Sequence, residues 1–235
     1  MENLFINIET STDICSVSLS RGAQVIDSRQ NNSRNHASTL GVFIKELLDC
    51  NNLTAKDLAG VAVSKGPGSY TGLRIGTSTA KGMAYQAGIK LLSIDTLQAM
   101  ALQATKHTDD PTTIICATID AGRNEVYSEL FDMDNRPVRE CIAEIITPES
   151  YADILAKNPM VFVGNGAQKI SGIISNPNAK YLPEIVASAA YMAPLTAQAH
   201  ENGVFADVAY FEPFYLKDYV ATVSKKNVLK PTPTL

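Results

Sequence analysis

The stretch that most constrains the fold runs from Leu58 to Asp95. The apolar run Ala59-Gly60-Val61-Ala62-Val63 stops at Ser64-Lys65, and Gly66-Pro67-Gly68-Ser69-Tyr70-Thr71-Gly72 supplies turn chemistry before a segment with helical spacing. Lys90-Leu91-Leu92-Ser93-Ile94 closes the unit as a second apolar run. Strand, loop, helix and strand in this order predict an α/β protein. Such a loop aims backbone N–H groups at a helix N-terminus, where the partial positive charge favours an anion. A phosphate cradle fits the loop, and so does a tight turn that needs glycine only for its backbone. The phosphate loop of nucleotide hydrolases fails here, because Lys81 is followed by Gly82 and no glycine precedes it. Gly66, Gly68 and Gly72 miss the dinucleotide fingerprint by one residue, yet Asp95 stands where a ribose-binding carboxylate would sit. A stand-alone nucleotide- or dinucleotide-binding enzyme using Gly66 to Gly72 is therefore the alternative reading.

Gly72, Gly76, Ala80, Ala84 and Gly88 recur at every fourth position of the helix. One side of it is a stripe with almost no side chains, suited to close packing inside the domain or between chains. Leu73, Ile75, Met83 and Tyr85 leave apolar surface for more than one contact face.

A chain of 235 residues suits one large domain or two small ones. A formal charge of −4 argues against this chain alone gripping a nucleic-acid backbone. Its first residues enter a strand pattern directly and no apolar run has the length of a membrane span, so a cytoplasmic location is expected. Cys15, Cys50, Cys116 and Cys141 are widely spaced, which predicts buried free thiols. The 3 histidines, His36, His107 and His200, form no metal-binding spacing, and no Gly-x-Ser-x-Gly or Cys-x-x-Cys occurs. The residues alone therefore supply no recognisable catalytic set.

Leu4 to Ile8, Ile14 to Leu19 and Ala23 to Arg29 read as a three-strand meander, with Thr10-Ser11-Thr12 in its first turn. Those hydroxyls suit a phosphate or simply the turn. His36 opens a helix whose Leu40, Phe43, Ile44, Leu47 and Leu48 make one apolar face. There the histidine is either a neutral hydrogen-bonding group or an unemployed surface residue. Thr96 to Ala104 reads as another helix. After Lys106 to Pro111 a second meander is expected at Thr113 to Ile119, Glu125 to Phe131 and Val138 to Ile146. A helix from Pro148 to Ala156, a strand from Met160 to Val163, a helix from Ala167 to Ile174 and an alanine-rich helical region from Ile185 to Ala199, interrupted by Pro194, complete the pattern. The division expected is 1–106, 107–217 and a basic tail, 218–235, with packing back on the first half as one option for the tail.

Ser64-Lys65-Gly66-Pro67-Gly68-Ser69-Tyr70-Thr71-Gly72-Leu73-Arg74-Ile75-Gly76 closely resembles the bacterial TsaB (YeaZ) family of tRNA threonylcarbamoyl adenosine biosynthesis. The likeness extends to Ile8-Glu9-Thr10-Ser11, Ile119-Asp120-Ala121 and Glu212-Pro213-Phe214-Tyr215-Leu216-Lys217. Members usually carry Asp where this chain has Glu9, which weakens any metal binding at that turn. The resemblance implies two related actin/hexokinase/Hsp70-like (ribonuclease H-like) α/β halves. It also implies a non-catalytic scaffold for the relative TsaD in threonylcarbamoyl transfer to the adenosine beside the anticodon of tRNAs reading ANN codons. A metal-binding His-x-x-x-His of TsaD aligns with Thr96 and Met100, so no metal is expected here, and an older label of glycoprotease gains no support. TsaD and the ATPase TsaE are the implied partners, with a homodimer in isolation, tRNA reached only through the complex, and no membrane. No cofactor is implied for this chain alone, and ATP or ADP binding is left to the complex. The implied interface comprises His36, Leu40, Phe43, Ile44, Leu47, Gly72, Leu73, Gly76, Ala80, Met83 and Ala84. Thr10, Ser11, Gly66, Gly68, Ser69, Tyr70 and Arg74 are the candidate ligand or partner contacts.

Overall fold

The computed structural model describes residues 3–32 and 35–217, so the basic tail expected at 218–235 lies outside the described residues. Alternating apolar residues in Leu4–Glu9 (β1), Cys15–Arg21 (β2) and Gln24–Asn31 (β3) build an antiparallel meander. Gly60–Ser64 (β4) and Lys90–Ile94 (β5) add to it in parallel, giving the order β3-β2-β1-β4-β5. Two helices, His36–Cys50 (α1) and Tyr70–Ala87 (α2), cover one face of this sheet. Leu40, Ile44 and Leu47 of α1 meet Ile6, Ile8, Val17 and Leu19 there. Each fully buried aliphatic side chain of this set contributes about 1.5–3 kcal/mol.

The second half repeats the plan. Ile114–Asp120 (β6), Glu125–Phe131 (β7) and Pro137–Ile145 (β8) form its meander. Met160–Val163 (β9) and Ala179–Leu182 (β10) pair in parallel, so the order β8-β7-β6-β9-β10 matches the first sheet strand for strand. Both halves thus have the ribonuclease H-like topology of the actin/hexokinase/Hsp70-like fold. Its helices are Thr96–Ala104 (α3), Ala152–Leu155 (α4), Asn165–Ser171 (α5) and Ala189–Glu201 (α6).

Two helices are exchanged between the halves. α3 follows β5 in sequence but packs on β6 and β7, whereas α6 follows β10 and packs on the free face of the first sheet. A cut at residue 106 therefore separates each of these helices from the sheet it covers. Buried polar groups hold α6 in place: Thr196 Oγ1 donates to Asn7 Oδ1 at 2.6 Å, and Asn7 Nδ2 donates to Ser18 Oγ at 3.2 Å and Ser20 Oγ at 3.1 Å. Ser18 Oγ then donates to the Ala189 carbonyl, whose own N–H donates to Ser16 Oγ, both at 2.9 Å. Asn7→Ala leaves three buried hydroxyls without this partner. It is expected to lower the unfolding free energy by about 2–3 kcal/mol, read as a reduced urea midpoint at unchanged m-value.

Some sequence expectations need correction. The helix expected from Pro148 to Ala156 is only α4, because Tyr151 adopts a left-handed backbone with φ 63° that blocks an earlier start. The region from Ile185 becomes helical only at Ala189, where Ser188 caps it, and α6 runs through Pro194 without interruption. Met192, Ala193, Thr196 and Ala197 are buried, and this packing outweighs the backbone bond that the proline removes.

Candidate functional site

The glycine loop and α2 are organised around the turn that follows β1. A Cβ on Gly68 would stand 2.2 Å from the Ser11 carbonyl oxygen, and one on Gly72 would stand 2.1 Å from that of Thr10. On Gly76 it would meet Thr10 Oγ1 at 2.3 Å, and on Gly66 the Phe214 carbonyl at 2.9 Å. The glycines thus make room for the turn, which is itself hydrogen-bonded to the loop. Ser69 N–H donates to the Ser11 carbonyl at 2.6 Å, Thr10 Oγ1 donates to the Gly72 carbonyl at 2.8 Å, and Ser69 Oγ caps α2 by accepting from Gly72 N–H at 3.2 Å. Two N–H groups that a phosphate would need are already in use.

Glu9 is turned into this structure as well. Its carboxyl accepts from Ser11 N–H at 2.6 Å and from Ser64 Oγ at 2.9 Å, and complete burial pushes it above the ordinary carboxylate range against the pull of those bonds. Burial, followed by the nearby Glu9 charge, raises the Cys15 thiol to about 11. Cys15 and Cys116 are buried free thiols and Cys141 is half-buried, as the spacing predicts, but Cys50 is exposed at the end of α1.

The second half uses the same device. A Cβ on Gly164, where φ is +92°, would stand 1.9 Å from the Thr118 carbonyl oxygen, and one on Gly166 would meet Thr118 Oγ1 at 2.8 Å. Between the two turns lies a cleft of about 420 Å³ lined by Ser11, Asp13, Gly68, Ser69, Asp120, Gly122, Tyr127 and Asn165, among others. Its lining includes Asp13 and Asp120, and Asp120 is paired with Lys169 at 2.6 Å. Asp95, the candidate ribose ligand, caps α3 instead, accepting from Leu97 N–H at 2.9 Å and Gln98 N–H at 3.0 Å and pairing with Lys65 at 3.3 Å. Thr96 and Met100, the places aligned with the metal ligands of TsaD, are both 1% exposed within the core around α3.

Most of the expected interface residues face inward. Leu40, Ile44, Leu47, Gly72, Leu73, Gly76, Ala80 and Ala84 are buried within the single chain, so the small-residue stripe of α2 seats the turn and the sheet, not a partner. The period of the stripe identifies a face of the helix, and the contact at Thr10 decides which way that face looks. Phe43 and Met83 are half-buried at the edge of the same core. His36 is buried as well, and its Nε2 donates to the Thr12 carbonyl at 2.7 Å, which removes the reading of an unemployed surface histidine. The outward face of the pair carries other residues: Val42 is 51% exposed, Tyr85 is 84% exposed, and Gly41 and Gly82 have open space where a Cβ would project.

Of the remaining expected contacts, Thr10 and Ser11 are buried, whereas Tyr70 and Arg74 form a cluster with Tyr215 at the start of α2. Arg74 lies over the Tyr70 ring at 4.1 Å and its Nε donates to Tyr215 Oη at 3.3 Å, while the two tyrosine rings are 4.9 Å apart. Tyr215 belongs to a segment that runs back along α2. Its Ala206 bridges to Leu91, its Phe214 N–H donates to the Lys65 carbonyl at 2.7 Å, and Lys217 reaches Glu125 of the second half. The extended pattern at Glu212 to Leu216 hints at this segment, but not at its partners.

Glu129 on β7 is a site that sequence spacing misses. Burial, then the negative charge of Asp95, raises its carboxyl from about 4.5 to about 7, with Lys65 opposing. Its folded pKa lies above the unfolded one, so the stability it contributes is complete below about pH 4.5 and is lost as pH rises to about 7. Glu129→Gln is expected to flatten the fall in urea midpoint between pH 5 and pH 8 and to be more stable than the parent chain at pH 8. An unchanged slope would contradict the assignment.

The comparisons with known proteins agree with this architecture. A family model described as TsaD: tRNA N6-adenosine threonylcarbamoyltransferase matches residues 25–225. The tRNA threonylcarbamoyladenosine biosynthesis protein TsaB of Haemophilus influenzae is 30% identical over 94% of this chain and 96% of its own length. This chain belongs to the TsaB (YeaZ) family. TsaB of Escherichia coli is 29% identical over 91% of the chain and 94% of its own length. For the fold alone, YeaZ from Pseudomonas aeruginosa superposes with a TM-score of 0.77 at 23% identity, covering 91% of this chain and all of that one.

Proposed function

We propose that this TsaB-family chain serves tRNA threonylcarbamoyladenosine biosynthesis as a non-catalytic scaffold for the threonylcarbamoyltransferase TsaD. The observation that carries the reading is the outer face of α1 and α2, where Val42 and Tyr85 are exposed and Gly41 and Gly82 have open space, among polar residues such as Lys45, Ser78 and Gln86. Such a surface lets another helix pair approach closely, and burying a large apolar side chain there contributes about 1.5–3 kcal/mol. The candidate reactive groups between the halves support the same reading, since Glu9, Thr10 and Asp95 are engaged in holding turns and helix ends. In this scheme TsaD supplies the transfer chemistry, the ATPase TsaE permits repeated turnover, any nucleotide binds to the complex, and tRNA is engaged through the complex. In isolation the same face pairs with a second copy of the chain.

The interface is tested with Gly82→Arg, at a position where an added Cβ meets nothing within 4 Å in the chain itself. Glycine is about 1 kcal/mol less favourable than most residues inside a helix, so the melting temperature is expected to hold or rise. Co-elution with TsaD on gel filtration is expected to be lost. A variant that still co-elutes at equal strength would overturn the assignment of this face.

A further inference from the structure

A cavity of about 830 Å³ opens beside the start of β1, at the opposite end of that strand from the Thr10 turn. None of its described lining residues belongs to α1, α2 or the glycine loop. Its walls come from both halves: the start of β1, the β2–β3 turn and α6, which covers the first sheet, face α3 and the β7–β8 turn of the second. The most telling wall residue is Asn135, in the β7–β8 turn. It is 7% exposed, its backbone is left-handed with φ 60°, and its carbonyl accepts from Gln98 Nε2 of α3 at 3.3 Å. Its side-chain oxygen is buried with no hydrogen-bond partner among the described residues. Buried polar atoms are nearly always paired, so an orphan in a cavity wall marks a place for a ligand's donor.

The α6 wall supplies the complement. Asn3 Nδ2 donates to His200 Nδ1 at 3.3 Å, and the imidazole packs edge-on against Phe5 and Phe205 at 5.1 and 5.6 Å between ring centres. This favours the neutral tautomer with its proton on Nε2, a donor. Gln198, exposed on α6, adds a carboxamide that both donates and accepts. Leu102, Pro194 and Leu195 lie among these polar groups as half-buried apolar surface. The charged groups narrow the ligand. Arg136 is paired with Asp134 at 3.0 Å, and Glu201 leaves one net negative charge in the lining, which is adverse to phosphate and other anions. A nucleobase would need a stacking ring, and Phe5, the one benzene ring in the described lining, is 1% exposed.

A ligand that donates and accepts at short intervals, carries apolar groups between them and is not anionic is a peptide main chain. We propose that this cavity binds a short extended peptide through its backbone, with a peptide N–H on the Asn135 side chain and peptide carbonyls on His200 Nε2 and Gln198. Length follows from the wall. Pro194 to Glu201 on α6 spans about 10 Å at 1.5 Å per residue, which matches about three extended residues. The volume falls within the range of small-ligand cavities, about 300–1,000 Å³. The described lining has no serine, threonine or cysteine, so it offers no nucleophile of those kinds and holds the peptide without cleaving it. Because α3 and α6 pack on different sheets, a bound peptide bridges the two halves. The proposal does not rest on the scaffold reading.

The test is an NMR titration of the full, isotope-labelled chain with acetyl-trialanine amide. Saturable shifts are expected in the backbone amides of residues 134–136 and 197–201 and in the side-chain amides of Asn135 and Gln198, with a Kd on the order of millimolar or tighter. Asn135→Gly removes the carboxamide and keeps a residue suited to the left-handed backbone. Gln198→Ala changes only an exposed side chain. Binding is expected to weaken about tenfold in the first and about threefold in the second, with the rest of the spectrum unchanged. The same peptide methylated on its backbone nitrogens is expected not to saturate the shifts. No saturable shift, which leaves Asn135 to solvent alone, would overturn the proposal. So would shifts outside the cavity, or undiminished binding by the methylated peptide or by both variants. Tighter binding of maltotriose or spermidine at the same residues would assign the cavity to a sugar or a polyamine and overturn it as well.

Discussion

Gly72→Ala is expected to destabilise the chain by about 3 kcal/mol or more, an unusually large effect for adding one methyl group. The added carbon would stand 2.1 Å from the Thr10 carbonyl oxygen, a backbone atom with no rotamer by which to withdraw. Helix propensity alone predicts the opposite sign, since alanine is favoured over glycine by about 1 kcal/mol in a helix interior. Relief would require moving α2 away from the turn, which breaks the bonds from Thr10 Oγ1 to the Gly72 carbonyl and from Ser69 N–H to the Ser11 carbonyl. Gly76→Leu belongs to the same class, because its Cβ would meet Thr10 Oγ1 at 2.3 Å. Denaturation midpoints of Gly72→Ala and Gly82→Ala, measured together, check the account: the first drops sharply and the second holds or rises. Equal midpoints would mean that the turn does not depend on the close approach of α2.

Much of the fold is legible in the residues because it rests on local periodicity. Alternation places the strands of both meanders, the spacing of Leu40, Ile44 and Leu47 sets the buried face of α1, and the Gly66 to Gly72 loop marks the strand-to-helix turn. β10 escapes because its four residues carry one lysine and sit against Asn176-Pro177-Asn178, so that only pairing with β9 makes a strand of them. The exchange of α3 and α6 escapes for a related reason. Asn7 and Thr196, which meet at 2.6 Å, are far apart in the chain, and neither has a local pattern that announces the other.

The candidate site divides in the same way. The stripe of Gly72, Gly76, Ala80 and Ala84 announces close packing, but its partner, Thr10, lies in another part of the sequence. The inward stripe and the outward face share one helix. Exposure at Gly82 and Tyr85, and not residue size, separates the surface open to a partner from the surface already used. Glu9 and Asp95 teach the complementary lesson. A carboxylate at a suggestive position is as well suited to satisfying backbone N–H groups as to binding a ligand, and here both do the former.

Reconstitution of tRNA modification tests whether, as proposed, this chain enables a transferase without supplying its chemistry. TsaD, TsaE, activated threonylcarbamoyl donor, ATP and a tRNA reading an ANN codon are combined with no chain, with the parent chain or with Gly82→Arg, and modified adenosine is counted per TsaD. The account predicts many turnovers with the parent chain, a loss of at least about tenfold without it or with Gly82→Arg, corresponding to about 1.4 kcal/mol of lost stabilisation, and no product from the chain without TsaD. Product formed by this chain alone, or equal turnover in its absence, would rule out the proposed scaffold role.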